Sequence, residues 1–268
     1  MKLPLHASLP AFLALFVGAL DLVAADVTGN ARVDGTTVYN NAVIRWRPAN
    51  RSYEIVNGPS TLTFPASRVQ LAIPRPRQLD AARADFLAGR NAAVITGLTP
   101  ILGDYIMLQH DEEIAALLIR AHVAANNSAE AIKVAERVIA ARPESAFRGG
   151  MVSAYWATLL AAGQNEKLRG FLEKAIQTGD IPAMSQALVM RGDMIVNKAN
   201  PSALEHRQAL VDGYLRVIVL YAKDAKDVLA EALYKAAQSF DKIGQTGRAQ
   251  NFRNKLQAEF PNSEWAGK

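Results

Sequence analysis

A spacing that occurs twice restricts this chain more than any other feature. Counting back from Pro261, Ala249, Gly244 and Phe240 stand 12, 17 and 21 residues away; counting back from Pro143, Ala131, Asn126 and His122 stand at the same distances. Each position has a mechanical use. Glycine and asparagine best tolerate the left-handed backbone that closes a first helix. Alanine lets two antiparallel helices touch, and proline stops the second helix. A third copy starts at Gly163, with Ala175 where Leu256 and Val138 stand in the others. A fourth spans Gln186 to Lys223, with a longer inter-helix turn at Asn200-Pro201. Such self-similarity means stacked supersecondary units, not one irregular core.

Around these marks the apolar period is 3.6 from about residue 78 onward, and the spacing predicts ten helical segments. Their spans are 78–90, 92–107, 112–125, 128–142, 147–162, 165–178, 183–197, 204–222, 227–243 and 246–260. In the first pair, around Ala82 to Tyr105, Gly97 and Pro100 are expected to interrupt the second helix.

Before residue 74 the period is two. Val69, Leu71 and Ile73 alternate with Arg68, Gln70 and Ala72; Ile44 and Trp46 alternate with Val43, Arg45 and Arg47. Tyr53 and Ile55 flank Glu54, and Leu62 and Phe64 flank Thr63. Turn residues separate the runs at Asp34-Gly35, Pro48-Ala49-Asn50, Asn57-Gly58-Pro59 and Pro65-Ala66-Ser67. Four short antiparallel strands are expected, forming a small SH3-like β module over 26–76. Ile73-Pro74-Arg75-Pro76 marks its end, because proline neither extends a central strand nor permits helix before it. The helical domain then occupies 77–268.

The first 25 residues read as a cleaved signal peptide. Met1-Lys2 is a positive start, Leu9 to Val23 is mainly apolar, and Val23-Ala24-Ala25 sets a cleavage site before Asp26. The chain is therefore expected to be exported, to a periplasmic or extracellular location. No later run is long and apolar enough to insert stably in a membrane. With no cysteine in the chain, disulfides, thiolate chemistry and a lipid-modified N-terminal cysteine are excluded.

The Ala230–Ser263 segment, AEALYKAAQSFDKIGQTGRAQNFRNKLQAEFPNS, resembles the tetratricopeptide repeat, with Phe240, Gly244, Ala249 and Pro261 on the family's landmarks. Glu112–Ser145 is the next best match. Leu233, Ala236 and Ala237 replace the consensus tryptophan and leucine-glycine pair. The resemblance implies a mostly α chain, an α-solenoid of about five helix pairs behind the β module, and a scaffold role without catalysis. Within the family, the ending LQAEFPNSEWA is similar to exported bacterial envelope proteins, implying other envelope proteins as partners, held as a peptide or helix in a concave groove. The resemblance also places Glu231, Tyr234, Lys235, Gln238 and Asp241 on the exposed inner face of helix 227–243. Leu233, Ala236, Ala237 and Phe240 would then point into the stack.

Chemistry has little material here. After residue 25 the chain offers only His110, His122 and His206, and no HExxH, phosphate loop or GxSxG elbow occurs. No catalytic residue, metal or cofactor is expected. In His110-Asp111-Glu112-Glu113, Asp111 is read as a helix cap and the glutamates as its first turn. His122 is read as core and His206 as a solvated helix surface. Charge is uneven: residues 26–77 hold seven arginines, no lysine and three acids, while 78–268 hold 22 bases and 21 acids. Arg45, Arg47, Arg51 and Arg68 therefore form a candidate patch for an anionic partner. An export signal argues against nucleic acid and leaves a cell-wall or other anionic polymer, bound through the β module, as the alternative to the scaffold.

Overall fold

The computed structural model describes residues 26–268, so the expected signal over 1–25 lies outside the described residues. The sheet comprises β1 (Val27–Val33), β2 (Thr37–Arg47), β3 (Ser52–Asn57), β4 (Ser60–Pro65) and β5 (Val69–Ala72). All neighbours are antiparallel, in the order β4-β3-β2-β1-β5. Five strands form rather than four. The extra one, β1, lies inside the sheet and alternates buried and exposed along its whole length. Its apolar side is built from small residues, and Gly29 and Asn30 are poor strand formers. Gly29 is required by closeness: a Cβ there would lie 2.6 Å from Ile73 Cδ1 and 3.0 Å from the Ala72 carbonyl oxygen.

Eleven α-helical segments follow. They are α1 (Arg77–Leu87), α2 (Asn91–Tyr105), α3 (Asp111–Ala124), α4 (Ser128–Ala141), α5 (Val152–Ala161) and α6 (Asn165–Gln177). Then come α7 (Ile181–Val196), α8 (Ala203–Ala209), α9 (Leu215–Leu220), α10 (Lys226–Lys242) and α11 (Thr246–Glu259). A π-helical turn, Leu210–Tyr214, fuses α8 and α9 into one rod, so ten rods stand where ten helices were expected. Consecutive helices pack against one another as antiparallel hairpins that stack along the chain. Asn126 and Gly244, the two closing residues of the repeated spacing, have φ of 60° and 75°.

Two expectations about helix ends are corrected. Helix α2 runs unbroken through Gly97 and Pro100. An interior proline costs a helix about 3 kcal/mol, but Val94, Leu98 and Leu102 are buried along one face on both sides of it and offset that cost. Residues 147–151 are not helical, because Pro143–Ala146 forms a 3-10 turn first and α5 starts at Val152.

The solenoid has two apolar cores that meet at α7. Ala183, Ala187 and Met190 face the core of α1–α6, with Tyr155 and Trp156 fully buried in it. Leu188 and Val189 face a second core shared with α8–α11. Between α7 and the π turn the backbones nearly touch: a Cβ on Gly213 would lie 2.8 Å from the Leu188 carbonyl oxygen. Among the described residues, no helix is long and apolar enough to cross a membrane.

Candidate functional site

Helix α10 buries Leu229, Ala232, Leu233, Ala236, Ala237 and Phe240, residues spaced three and four apart. The opposite stripe, Glu231, Tyr234, Lys235, Gln238 and Asp241, is half-buried except for exposed Gln238. Three of these five, Lys235, Gln238 and Asp241, line a cavity of about 580 Å³ between α7, the α8–α9 rod and α10. Its other walls carry Asp193 from α7, His206 and Tyr214 from the rod, Ser239 and Lys242 from α10, and Arg253 from α11.

The charges in this groove are tied into a network. Lys235 Nζ pairs with Asp193 and lies 2.5 Å from Glu231 Oε1. Burial pulls the Lys235 ammonium down, but the two carboxylates outweigh it and hold its pKa above the usual lysine value. Tyr214 donates its hydroxyl to Asp193 at 2.9 Å; burial, reinforced by that carboxylate, pushes its pKa well up. Asp241 pairs with Arg253. Gln238 Nε2 donates to the Tyr234 hydroxyl at 2.7 Å, so the two residues act as one polar unit on the helix.

His206 corrects an expectation. It is only 8 % exposed, with Nδ1 3.4 Å from Ser239 Oγ. Burial lowers its pKa, and the nearby Lys242 lowers it further. Its placement follows from the π turn and the packing of α8 on α10, which sequence spacing does not reveal. His122 is buried in α3, as expected.

The arginines of the sheet are placed differently from the expected patch. Arg45 and Arg47 share Glu54, at 3.0 and 2.7 Å, and Arg45 also reaches Asp26 at 2.5 Å. Arg68 pairs with Asp34 at the β1–β2 turn and sits 5.9 Å from the Phe64 ring. Arg51 is exposed at the β2–β3 connection, with φ of 46°. Hydrogen bonding to Arg47 and Arg45 holds the Glu54 carboxyl below its ordinary value, and the Arg68 guanidinium does the same for Asp34. Three of the four guanidinium groups therefore already carry a carboxylate each.

A second cleft, of about 520 Å³, lies where the sheet meets the helices. The elbow between α2 and α3 enters the sheet: Leu108 is in its core, and Tyr53 donates its hydroxyl to the Met107 carbonyl at 2.6 Å. Edge strand β5 exposes unpaired backbone groups. The Gln109 amide takes them up, accepting from the Ile73 N–H at 2.6 Å and donating to the Leu71 carbonyl at 3.0 Å. Asp111 is not the cap of α3. His110 occupies that position, with φ of 75°, and Asp111 is the first helical residue. Its buried carboxylate accepts from the Met107 N–H at 2.9 Å and pairs with Arg142 at 3.1 Å. Burial pushes its pKa up despite Arg142 and the backbone donors. Glu112 accepts from Ser145 at 2.6 Å and from Arg142 at 3.1 Å, while Glu113 holds Arg75 at 2.6 Å and Arg83. These acids serve the junction. Among the described residues, no group of three or more histidines and acids is arranged to hold a metal.

Residues 231–263, which contain most of α10 and all of α11, match the family model described as tetratricopeptide repeat. No curated protein matches the chain. Among solved structures, a thermophilic TPR protein of Thermus thermophilus is 16 % identical with a TM-score of 0.46, over 69 % of this chain and 91 % of that one. The nearly identical TPR-like repeats of a Podosopora anserina putative kinesin light chain are also 16 % identical, with a TM-score of 0.47, over 70 % of this chain and 95 % of that one. The α10 stripe and Arg253 thus lie within a segment, residues 231–263, that matches the tetratricopeptide repeat, and Asp193, His206 and Tyr214 reach the groove from outside it.

Proposed function

We propose that this chain is an exported scaffold that holds partner proteins of the bacterial envelope in the groove between α7, α8 and α10. The tetratricopeptide repeat is a protein–protein interaction unit. One observation carries the reading: Lys235, Gln238 and Asp241, on the α10 stripe, line the 580 Å³ groove. Solenoids of stacked repeats use such concave surfaces for extended ligands. The groove offers hydrogen-bonding groups beside Val196 and the Tyr214 ring, a mixture that suits a peptide backbone. The apolar run Leu9–Val23 and the small residues before Asp26 support export.

Two measurements test this. Intact mass of the secreted chain is expected to begin at Asp26; retention of residues 1–25 would replace export with anchoring. Affinity capture from envelope extracts, with parent protein and Gln238→Arg, is expected to lose its partner only in the variant. Equal capture by a folded Gln238→Arg would remove the groove from the reading.

A further inference from the structure

We propose that residues 260–268 of this chain occupy the binding stripe of α10 in cis, as a displaceable occupant anchored by an aromatic side chain. The inference rests on the reading of that face as a binding surface. Beyond Glu259 the chain leaves α11, forms turns and folds back across α10. Trp265 is its anchor, with its ring 5.4 Å from that of Tyr234 at an interplanar angle of 40°. Lys235 Nζ lies 5.6 Å from the same ring, so the tryptophan rests on two residues of the stripe. Offset aromatic pairs and cations over indole are both favourable, and neither depends on a folded surrounding.

The backbone of the segment is held lightly. The Ala266 carbonyl accepts from Gln257 Nε2 at 2.6 Å, while the Ser263 and Ala266 N–H groups bond only within the turn. The segment's side chains that pack against the second core, Phe260, Trp265 and Ala266, are only half-buried, as a bound peptide's are, and none is enclosed in it. The hairpin of α10 and α11 is closed elsewhere: Phe240 and Phe252 stack at 5.3 Å and 11°. Trp265 and Tyr234 are half-buried against the second core, whose fully buried members all lie between Leu188 and Leu256, so the segment covers that core without supplying any of its buried residues. Beside the Trp265 seat runs the groove of Asp193, Lys235 and Gln238, with room for the residues flanking an aromatic.

An incoming peptide competes with the segment, and its apparent affinity falls by the fraction of molecules in which the seat is open. The probe is a labelled synthetic peptide of residues 260–268, FPNSEWAGK, read by fluorescence anisotropy against the full chain. Trp265→Ala in the full chain is expected to bind it about tenfold more tightly than the parent does, as removal of a competing occupant requires. Gln257→Ala, which keeps the tryptophan and frees the segment's carbonyl, is expected to give a smaller gain. A peptide with alanine in place of tryptophan is expected not to bind, and Tyr234→Ala added to Trp265→Ala is expected to abolish the gain. Equal binding by the parent, Trp265→Ala and Gln257→Ala, or equal binding of the tryptophan-free peptide, would overturn the proposal. Partner capture by Gln238→Arg reads the groove independently: loss of capture there with no gain in Trp265→Ala leaves the groove standing and removes only the occupant.

Discussion

The sheet–helix junction and the α10 groove are of similar size and do opposite things with similar residues. Both hold a half-buried cation between two carboxylates: Arg142 between Asp111 and Glu112, and Lys235 between Asp193 and Glu231. At the junction the remaining acceptor sites are spent on the protein itself, on Met107 N–H, Ser145 and Gly150 N–H. In the groove, Gln238 and Lys242 stay exposed beside the ion pair, and an aromatic segment lies across the rim. A polar network becomes a fastening when every group is satisfied within the chain, and a surface for recognition when some still face solvent.

The largest effect that would break this comparison is Asp111→Ala. It leaves Arg142 half-buried with one partner and the Met107 N–H with none, and is expected to destabilise the fold by about 3 kcal/mol. Chemical denaturation measures it; a loss as small as that of an exposed substitution would mean the junction is not a fastening. Tyr53→Phe removes one hydrogen bond between sheet and elbow and is expected to cost about 1 kcal/mol. Hydrogen exchange in β3 is expected to rise with it, and unchanged exchange there would count against the coupling. In the groove, Gln238→Ala is expected to stay within about 0.5 kcal/mol of the parent in stability, while weakening partner binding.

The smallest effect is a titration. His206 in the folded chain is expected to titrate below its ordinary value of 6.5, by NMR, because burial and Lys242 oppose its charge. A depressed pKa means that its neutral form contributes stability above 6.5, and that this contribution is lost as pH falls through 6.5 toward the folded value. Lys242→Ala is expected to move the midpoint upward. A midpoint at 6.5 would mean the imidazole is solvated, as sequence alone suggested.

Local patterns were legible because local physics sets them. Pro143 and Pro261 end helices, and Asn126 and Gly244 adopt positive φ, whatever the chain does elsewhere. The 3.6 period delivered ten rods and the inward face of α10, and the period of two delivered four strands of the sheet. Strand β1 was missed since small residues and Gly29 carry little strand signal. The uninterrupted α2 was missed since burial of Leu98 and Leu102 outweighs a local proline. Of the expected arginine patch, the sequence displayed the charge but not the carboxylates that neutralise it: Glu54 sits across a strand pair and Asp34 is 34 residues from Arg68.

What the sequence determined by itself was most of the elements and the amphipathic stripe of each, because both depend on residues within a few positions of one another. What only the tertiary structure decided was which polar groups meet. Asp193 finds Lys235 across 42 residues, His206 finds Ser239 across 33, and Trp265 comes to rest on Tyr234. Partnerships at such separations depend on the packing of α7, α8 and α10, where the close contact of Gly192 with Gly213 sets how closely two helices approach. No spacing rule in the chain encodes that approach, since it is a property of the assembled surfaces.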